Sequence, residues 1–179
     1  MQGKLKKIVI IGPESTGKST LSQALAAHYG EPWVEEYARG YIERLDREYR
    51  YDDLLEMARG QMKLEDTKIQ EAKKLLFCDT DLHVIQVWSE HKFRQTDPWI
   101  MEEIQRRDYD LYLLMDIDIP WQEDPQREHP DPDMRQFFYD WYERLLLGTG
   151  IPVVKISGSL EQRLAKSIDA IEGDYLKIR

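Results

Sequence analysis

The chain has 179 residues, 41% of them hydrophobic, and a formal net charge of −9. This length is typical of one domain, so we predict a single domain over residues 1–179. No apolar run approaches the roughly 20 residues that a membrane-spanning helix needs, and the acidic balance argues against a nucleic-acid-binding surface. We therefore expect a soluble, cytoplasmic protein that binds neither nucleic acid nor membrane. The single cysteine, Cys78, excludes an intrachain disulfide.

Hydrophobic periodicity predicts short strands separated by helices. The β-branched run 5–11, ended by Gly12 and Pro13, predicts a buried parallel strand, and apolar residues at helical spacing predict a helix over 18–29. The other predicted strands are 32–36, 75–79, 109–115 and 151–156, and the other predicted helices are 37–48, 52–74, 81–93, 98–107 and one beginning at Ser159. This alternation predicts an α/β fold with a parallel sheet covered on both faces.

The segment 117–135 departs from this pattern. It is rich in proline and acidic residues and has little apolar periodicity. A long irregular segment in a compact domain is usually a functional lid or a disordered loop. We predict a lid, with Arg127 positioned to neutralise charge that develops during phosphoryl transfer. An ordinary surface arginine is the alternative.

The strongest motif follows the first predicted strand. Residues 12–19 read Gly-Pro-Glu-Ser-Thr-Gly-Lys-Ser and match the phosphate-loop pattern G-x-x-x-x-G-K-[ST] between a strand and a helix. Backbone amides would cradle the phosphates, Lys18 would add positive charge, and the Ser19 hydroxyl would bind Mg²⁺. The predicted ATP-binding residues are Gly12, Pro13, Glu14, Ser15, Thr16, Gly17, Lys18, Ser19 and Thr20. The chain has no asparagine, so a guanine-reading N-K-x-D motif is absent and adenine is favoured.

Acidic residues follow the predicted strand 75–79. Ligands bind at the carboxyl ends of parallel strands, which is also where the phosphate loop lies. We predict that one of Asp79 and Asp81 serves Mg²⁺ and that the other accepts a proton from a substrate hydroxyl. For Asp81 the alternative is a helix N-cap.

A second polar group follows the predicted strand 32–36. Glu36, Tyr37 and Arg39 bring a carboxylate, a phenol and a guanidinium into short reach, which suits a ribose, an aromatic ring and a phosphate. We predict that these three residues bind substrate. A solvated helix start with a packed tyrosine is the alternative.

Taken together, several segments resemble a known family. They are 12–20 (GPESTGKST), 35–39 (EEYAR), 77–81 (FCDTD), 97–99 (DPW) and 118–129 (DIPWQEDPQREH). Their order resembles the ribosylnicotinamide kinase domain of NadR and its stand-alone P-loop ATPase/kinase relatives, over about residues 5–172. The resemblance implies a P-loop kinase-like three-layer sandwich with a parallel sheet of about five strands. It also implies ATP and Mg²⁺ as cofactors, and transfer of phosphate to the 5′-hydroxyl of nicotinamide riboside.

By this resemblance the phosphate loop would bind ATP, Asp79 would serve magnesium or the acceptor hydroxyl, and Arg127 would belong to the lid. The adenylyltransferase and repressor activities of NadR proteins are not expected, because the chain lacks an H-x-G-H signature. Two alternatives stay open. One is a P-loop kinase for another nucleoside or metabolite, and the other is a regulatory ATPase without a small-molecule acceptor.

Overall fold

A computed structural model describes residues 4–174 and contains a parallel sheet in the spatial order β2-β3-β1-β4-β5. The strands are β1 (Lys6–Ile11), β2 (Trp33–Val34), β3 (Leu75–Asp79), β4 (Leu111–Met115) and β5 (Val153–Ile156). The helices are α1 (Lys18–Tyr29), α2 (Tyr37–Glu43), α3 (Tyr51–Ile69), α4 (Leu82–Phe93), α5 (Pro98–Arg106), α6 (Pro132–Leu147) and α7 (Leu160–Asp169), followed by a short π-helical segment, Ala170–Asp174. Among the described residues, no helix is both long and apolar enough to cross a bilayer.

Both faces of the sheet are buried, because successive strand residues point to opposite sides. Along β1, Val9 and Ile11 join a core that includes Tyr142 and Leu146 of α6. Ile8 and Ile10 pack on the other face, with a core that the α1 residue Leu25 also joins. The predicted three-layer α/β fold is therefore confirmed.

Strand β1 lies in the centre of the sheet and fixes where the functional loops meet. It pairs in parallel with β3 on one side and with β4 on the other. Ile10 is opposite Asp79, and the Thr80 amide donates to the Ile10 carbonyl at 2.9 Å. The loops that follow β1 and β3 therefore leave the sheet side by side.

Helix α6 is a major difference from the sequence-based expectation, which placed residues 132–135 in the lid. The irregular segment predicted to be a lid therefore ends at residue 131, and residues 117–131 are called the lid below. The Asp-Pro pair at the end of the lid is the sequence signal that marks this helix: Asp131 caps α6, and Pro132 occupies the first turn of α6. The same Asp-Pro pair marks the start of α5, which the sequence did predict.

Helix α3 begins at Tyr51, one residue before the predicted start at residue 52. Arg50 is the N-cap, and the Asp53 carboxylate accepts the Arg50 amide at 2.6 Å. Asp53 also accepts hydrogen bonds from Arg47 at 2.6 Å and from the Tyr41 hydroxyl at 3.0 Å. The Arg47 hydrogen bond holds the pKa of Asp53 well below its usual range, against the opposing effect of burial. This carboxylate joins α2, its following loop and α3.

We expect Asp53→Asn to lower the free energy of unfolding at pH 7 by about 1 kcal/mol. Because the folded-state pKa is depressed, this stabilisation is present above the unfolded pKa of about 4 and is lost as pH falls below it. Denaturant unfolding between pH 7 and pH 3 measures the difference. The control is Asp52→Asn, an exposed residue of the same turn. An unfolding difference that is the same at every pH would contradict the prediction.

Gly60, in the middle of α3, is explained by a close contact with α2. A Cβ atom at position 60 would lie 2.0 Å from Cε1 of Tyr37. The ring of Tyr37 therefore occupies the place of a side chain on α3.

We expect Gly60→Ala to destabilise the protein by about 1–3 kcal/mol, since the ring must move and overpacking outweighs the gain in helix propensity. The matched control is Gly40→Ala in α2, where a Cβ atom would meet only the end of the Arg44 side chain, at 3.3 Å. Thermal unfolding of the two variants gives the comparison. Equal stability of the two would show that the Tyr37 ring moves away at no cost.

Candidate active site

The phosphate loop leaves the end of β1 in a conformation that requires glycine. Gly12 has φ 152° and Gly17 has φ 80°. A Cβ atom on Gly12 would lie 2.8 Å from the carbonyl oxygen of Met115 on β4, so a side chain cannot be accommodated there. The loop then enters α1, whose N-terminal amides face the space above the sheet edge.

Lys18 spans the loop. Its Nζ atom donates to the carbonyl oxygen of Pro13 at 2.8 Å, and the hydroxyl of Thr16 donates to the same oxygen at 2.8 Å. The ammonium group of Lys18 is thus held against the phosphate loop. A triphosphate bound there would meet both the amides and this positive charge.

Two buried arginines bind carbonyl groups of the loop. Arg135 of α6 donates to the Ser15 carbonyl at 3.2 Å, and Arg163 of α7 donates to the Thr16 carbonyl at 2.7 Å. Because the guanidinium groups bind these carbonyls, the amides of the loop are free to face a ligand. Sequence reasoning assigned no function to Arg163, since nothing in the local sequence of α7 connects it with a loop about 150 residues earlier.

Asp79 and Ser19, predicted separately, lie together. The Ser19 hydroxyl donates to Oδ2 of Asp79, while Oδ1 is buried without a hydrogen-bond partner among the described residues. Burial raises the pKa of Asp79, although Lys18 opposes this effect. A hydroxyl and a carboxylate with a free oxygen are ligands suited to Mg²⁺, which also keeps waters and binds phosphate oxygens. The two residues therefore fit the predicted metal site.

Glu36 and Arg39 line the same cavity as the phosphate loop. Burial raises the pKa of Glu36 to about 7, and the negative charge of Asp79 adds to this shift. The Arg39 guanidinium donates to Asp124 of the lid at 2.5 Å. The structure thus places Glu36 in the same cavity as the phosphate loop, whereas the guanidinium of Arg39 is engaged with the lid.

Asp81 has a structural environment instead of the predicted catalytic one. Its Oδ1 caps α4 by accepting the His83 amide at 3.0 Å. Its Oδ2 contacts Nδ1 of His83 at 2.8 Å and accepts the Tyr112 hydroxyl at 2.8 Å. Both oxygens are thus occupied within the core, and the catalytic assignment of Asp81 is corrected to a buried helix cap.

The side chain of Tyr37, the third residue predicted to bind substrate, lies apart from those of Glu36 and Arg39. Its ring packs over Gly60, and it does not line either of the two cavities that meet at the phosphate loop. The structure therefore does not bring Tyr37 together with Glu36 in these cavities, because its ring faces α3. The sequence signal was Gly60 itself, a glycine within a helical pattern.

The lid lies across the phosphate loop. The Gln122 amide donates to the Ser15 hydroxyl at 2.9 Å, and Arg127 reaches the same hydroxyl at 3.4 Å. Arg127 also donates to the Gln122 carbonyl at 2.6 Å. At the start of the lid, Asp118 forms an ion pair with Arg163. Arg127 is therefore placed beside the phosphate loop.

Two cavities adjoin beneath the lid. One, of about 450 Å³, contains the phosphate loop, Glu36, Arg127 and the start of α7. The other, of about 190 Å³, has aromatic walls. Their shared lining residues are Glu14, Ile42, Trp88, Gln126 and Tyr142, and the aromatic walls of the smaller cavity are Tyr49, Trp88, His91, His129, Phe138 and Tyr142.

A phosphate loop at the central strand of a parallel sheet, with an acidic neighbouring strand end and a lid, defines a P-loop protein of the kinase fold. The chain belongs to the family described as an AAA domain, whose model matches residues 7–163.

Curated relatives confirm the predicted relationship to NadR. The chain is 27% identical over 156 residues to the trifunctional NAD biosynthesis/regulator protein NadR of Escherichia coli (strain K12), with 85% of this chain and 38% of the relative covered. The NadR protein of Salmonella typhimurium (strain LT2) gives the same figures. The chain thus spans well under half the length of these relatives.

Solved structures agree. A NadR protein in complex with NAD and AMP-PNP is 28% identical with a TM-score of 0.79, and a NadR protein in complex with NR gives 28% and 0.80. Each match covers 98% of this chain and 50% of the other. A deoxyadenosine kinase from M. mycoides, 12% identical with a TM-score of 0.64 over 94% of this chain and 100% of the other, shares the fold.

The different surroundings of Asp79 and Asp81 give opposite expectations for their variants. Asp79→Asn should lower phosphoryl transfer or ATP turnover by at least about a hundredfold with little change in melting temperature, since it removes the charge next to Ser19. Asp81→Ala should lower the free energy of unfolding by about 1–3 kcal/mol while the folded protein keeps its turnover, because Tyr112 and His83 lose a buried partner. Steady-state kinetics and thermal unfolding of both variants test this. The reverse pattern would restore the catalytic assignment of Asp81.

Proposed function

We propose that the protein is an ATP-dependent small-molecule kinase whose best single acceptor is nicotinamide riboside, phosphorylated on its 5′-hydroxyl. The observation that carries this proposal is the pair of adjoining cavities. The larger is lined by the phosphate loop and Glu36, and the smaller has aromatic walls that suit a flat heteroaromatic ring. The relatedness to NadR proteins, one of them solved with NR, supports the choice of acceptor.

The donor side is built for a nucleoside triphosphate. The amides of residues 12–20, Lys18 and Arg127 would bind the phosphates and neutralise charge on the transferring group. Ser19 and Asp79 would hold Mg²⁺, which supplies further charge neutralisation when bound. Gly158, in the loop after β5, and Leu160, at the start of α7, also line this cavity and offer a surface for adenine.

On the acceptor side, Glu36 is the residue we propose to receive the proton. The acceptor hydroxyl oxygen forms a bond to the γ-phosphorus, the bond from that phosphorus to the β,γ-bridging oxygen breaks, and ADP leaves. The hydroxyl proton passes to the Glu36 carboxylate, whose pKa near neutrality suits general-base catalysis at physiological pH. Holding donor and acceptor in adjoining cavities supplies the positioning part of catalysis.

A regulatory ATPase without a small-molecule acceptor is the principal alternative from another class. The aromatic cavity adjoins the larger cavity, which Glu36 lines. This favours the kinase, because an ATPase that hydrolyses its nucleotide with water needs no such pocket. A kinase for another nucleoside would use the same donor site and differ only in what the aromatic cavity accepts.

The deciding experiment measures ADP release from ATP and Mg²⁺ with and without nicotinamide riboside, beside a panel of other nucleosides. We expect nicotinamide riboside to give the strongest stimulation, with nicotinamide mononucleotide as product. Lys18→Ala should abolish turnover and leave the fold intact by circular dichroism, since the side chain is half-exposed over the loop. If only another nucleoside stimulates ADP release, phosphoryl transfer from ATP is retained and that nucleoside replaces nicotinamide riboside as the acceptor.

Slow basal hydrolysis with no nucleoside response would overturn the kinase proposal in favour of the regulatory ATPase. Full turnover by Lys18→Ala would show instead that the phosphate loop is not the site of the reaction.

A further inference from the structure

Glu14 is an unexpected residue within a phosphate-binding loop. It occupies the third position of the motif, among the residues that would surround a triphosphate. A carboxylate beside a bound polyanion is disfavoured by like-charge repulsion. Its presence at this position therefore calls for a compensating contact.

That contact is with the lid. One carboxylate oxygen of Glu14, Oε2, accepts the backbone amide of Glu128 at 3.0 Å and the backbone amide of His129 at 3.2 Å. Two amides that converge on one carboxylate oxygen form charge-assisted hydrogen bonds, which are stronger than those between neutral groups. They join the end of the lid to the start of the phosphate loop.

The next residue of the loop makes the corresponding contact with the middle of the lid. The Ser15 hydroxyl accepts the Gln122 amide at 2.9 Å, and Arg127 reaches it at 3.4 Å. Residues 14 and 15 thus hold lid residues on both sides of Arg127 in the chain. Because Arg127 directly precedes the two amides bound by Glu14, the position of its backbone depends on that carboxylate.

We propose that Glu14 is a positioning residue that holds the closed lid on the phosphate loop and thereby places Arg127 at the transferring phosphoryl group. Glu14 itself need not touch ATP in this role. The statement about Arg127 rests on the proposed kinase function, whereas the attachment of the lid does not.

The nature of the contact predicts which substitutions preserve it. Glutamine keeps an oxygen at the same reach that accepts both amides, so Glu14→Gln should retain the contact. Alanine removes it. The control variant is Glu123→Ala, which removes an exposed carboxylate from the same lid.

The first measurement is steady-state kinetics with ATP and the acceptor found in the stimulation assay. Glu14→Ala should lower kcat by roughly tenfold to a hundredfold through misplacement of Arg127, with a much smaller change in KM for ATP. Loss of a contact worth about 1.4 kcal/mol in the transition state lowers the rate tenfold. Because Glu14→Gln keeps the contact, its kcat should stay within about threefold of that of the native protein. If Glu14→Gln is as slow as Glu14→Ala, the negative charge of Glu14 is what the reaction needs, and the proposed positioning role is overturned.

The second measurement follows the lid directly and needs no acceptor. Trypsin cuts after arginine, so the rate of cleavage after Arg127 reports lid opening, with and without a non-hydrolysable ATP analogue. We expect faster cleavage in Glu14→Ala than in the native protein, Glu14→Gln or Glu123→Ala. Equal cleavage in all four overturns the proposal. A native protein that transfers no phosphate to any acceptor would refute the kinase function, and cleavage would still decide the role of Glu14.

Discussion

The parallel pairing of β1 with β3 is the interaction on which the site depends. It sets Ile10 opposite Asp79, so the phosphate loop and the acidic strand end leave the sheet as neighbours. A shift of one residue in this register would turn Asp79 to the other face of the sheet and separate it from Ser19. The fully buried residues of both strands, packed on each face, resist such a shift because any slip would place apolar side chains against new neighbours.

The conformation of the phosphate loop also depends on hydrogen bonds from residues distant in the sequence. Arg135 and Arg163 come from two helices late in the chain and bind successive carbonyls of the loop. Arg163 in addition pairs with Asp118, at the beginning of the lid. One buried guanidinium therefore connects the loop, the lid and α7, so the rest of the fold has to be complete before the loop is correctly held. This arrangement keeps the amides oriented before any ligand arrives, which is the form of preorganisation that lowers the cost of binding an anion.

The sequence predicted what is carried by local pattern. The buried strands, the phosphate loop and Asp79 follow from periodicity and from a contiguous motif. What it could not predict depends on distant partners. Asp81 differs from Asp79 because Tyr112 and His83 occupy both of its oxygens, and neither partner is part of the short acidic motif. The opposing environments of the two carboxylates arise from packing, which a single sequence does not display.

Two of the attachments that hold the lid differ in their response to the surrounding solution. The ion pair between Arg39 and Asp124 lies at the outside, with the Arg39 side chain 49% exposed. Mobile ions screen such a pair, since the Debye length is about 10 Å at 0.1 M salt. The Glu14 carboxylate instead binds two backbone amides of the lid, which carry no net charge for mobile ions to screen. Ionic strength thus weakens the outer attachment and spares the inner one, so the lid of this protein loosens first along the edge that faces α2.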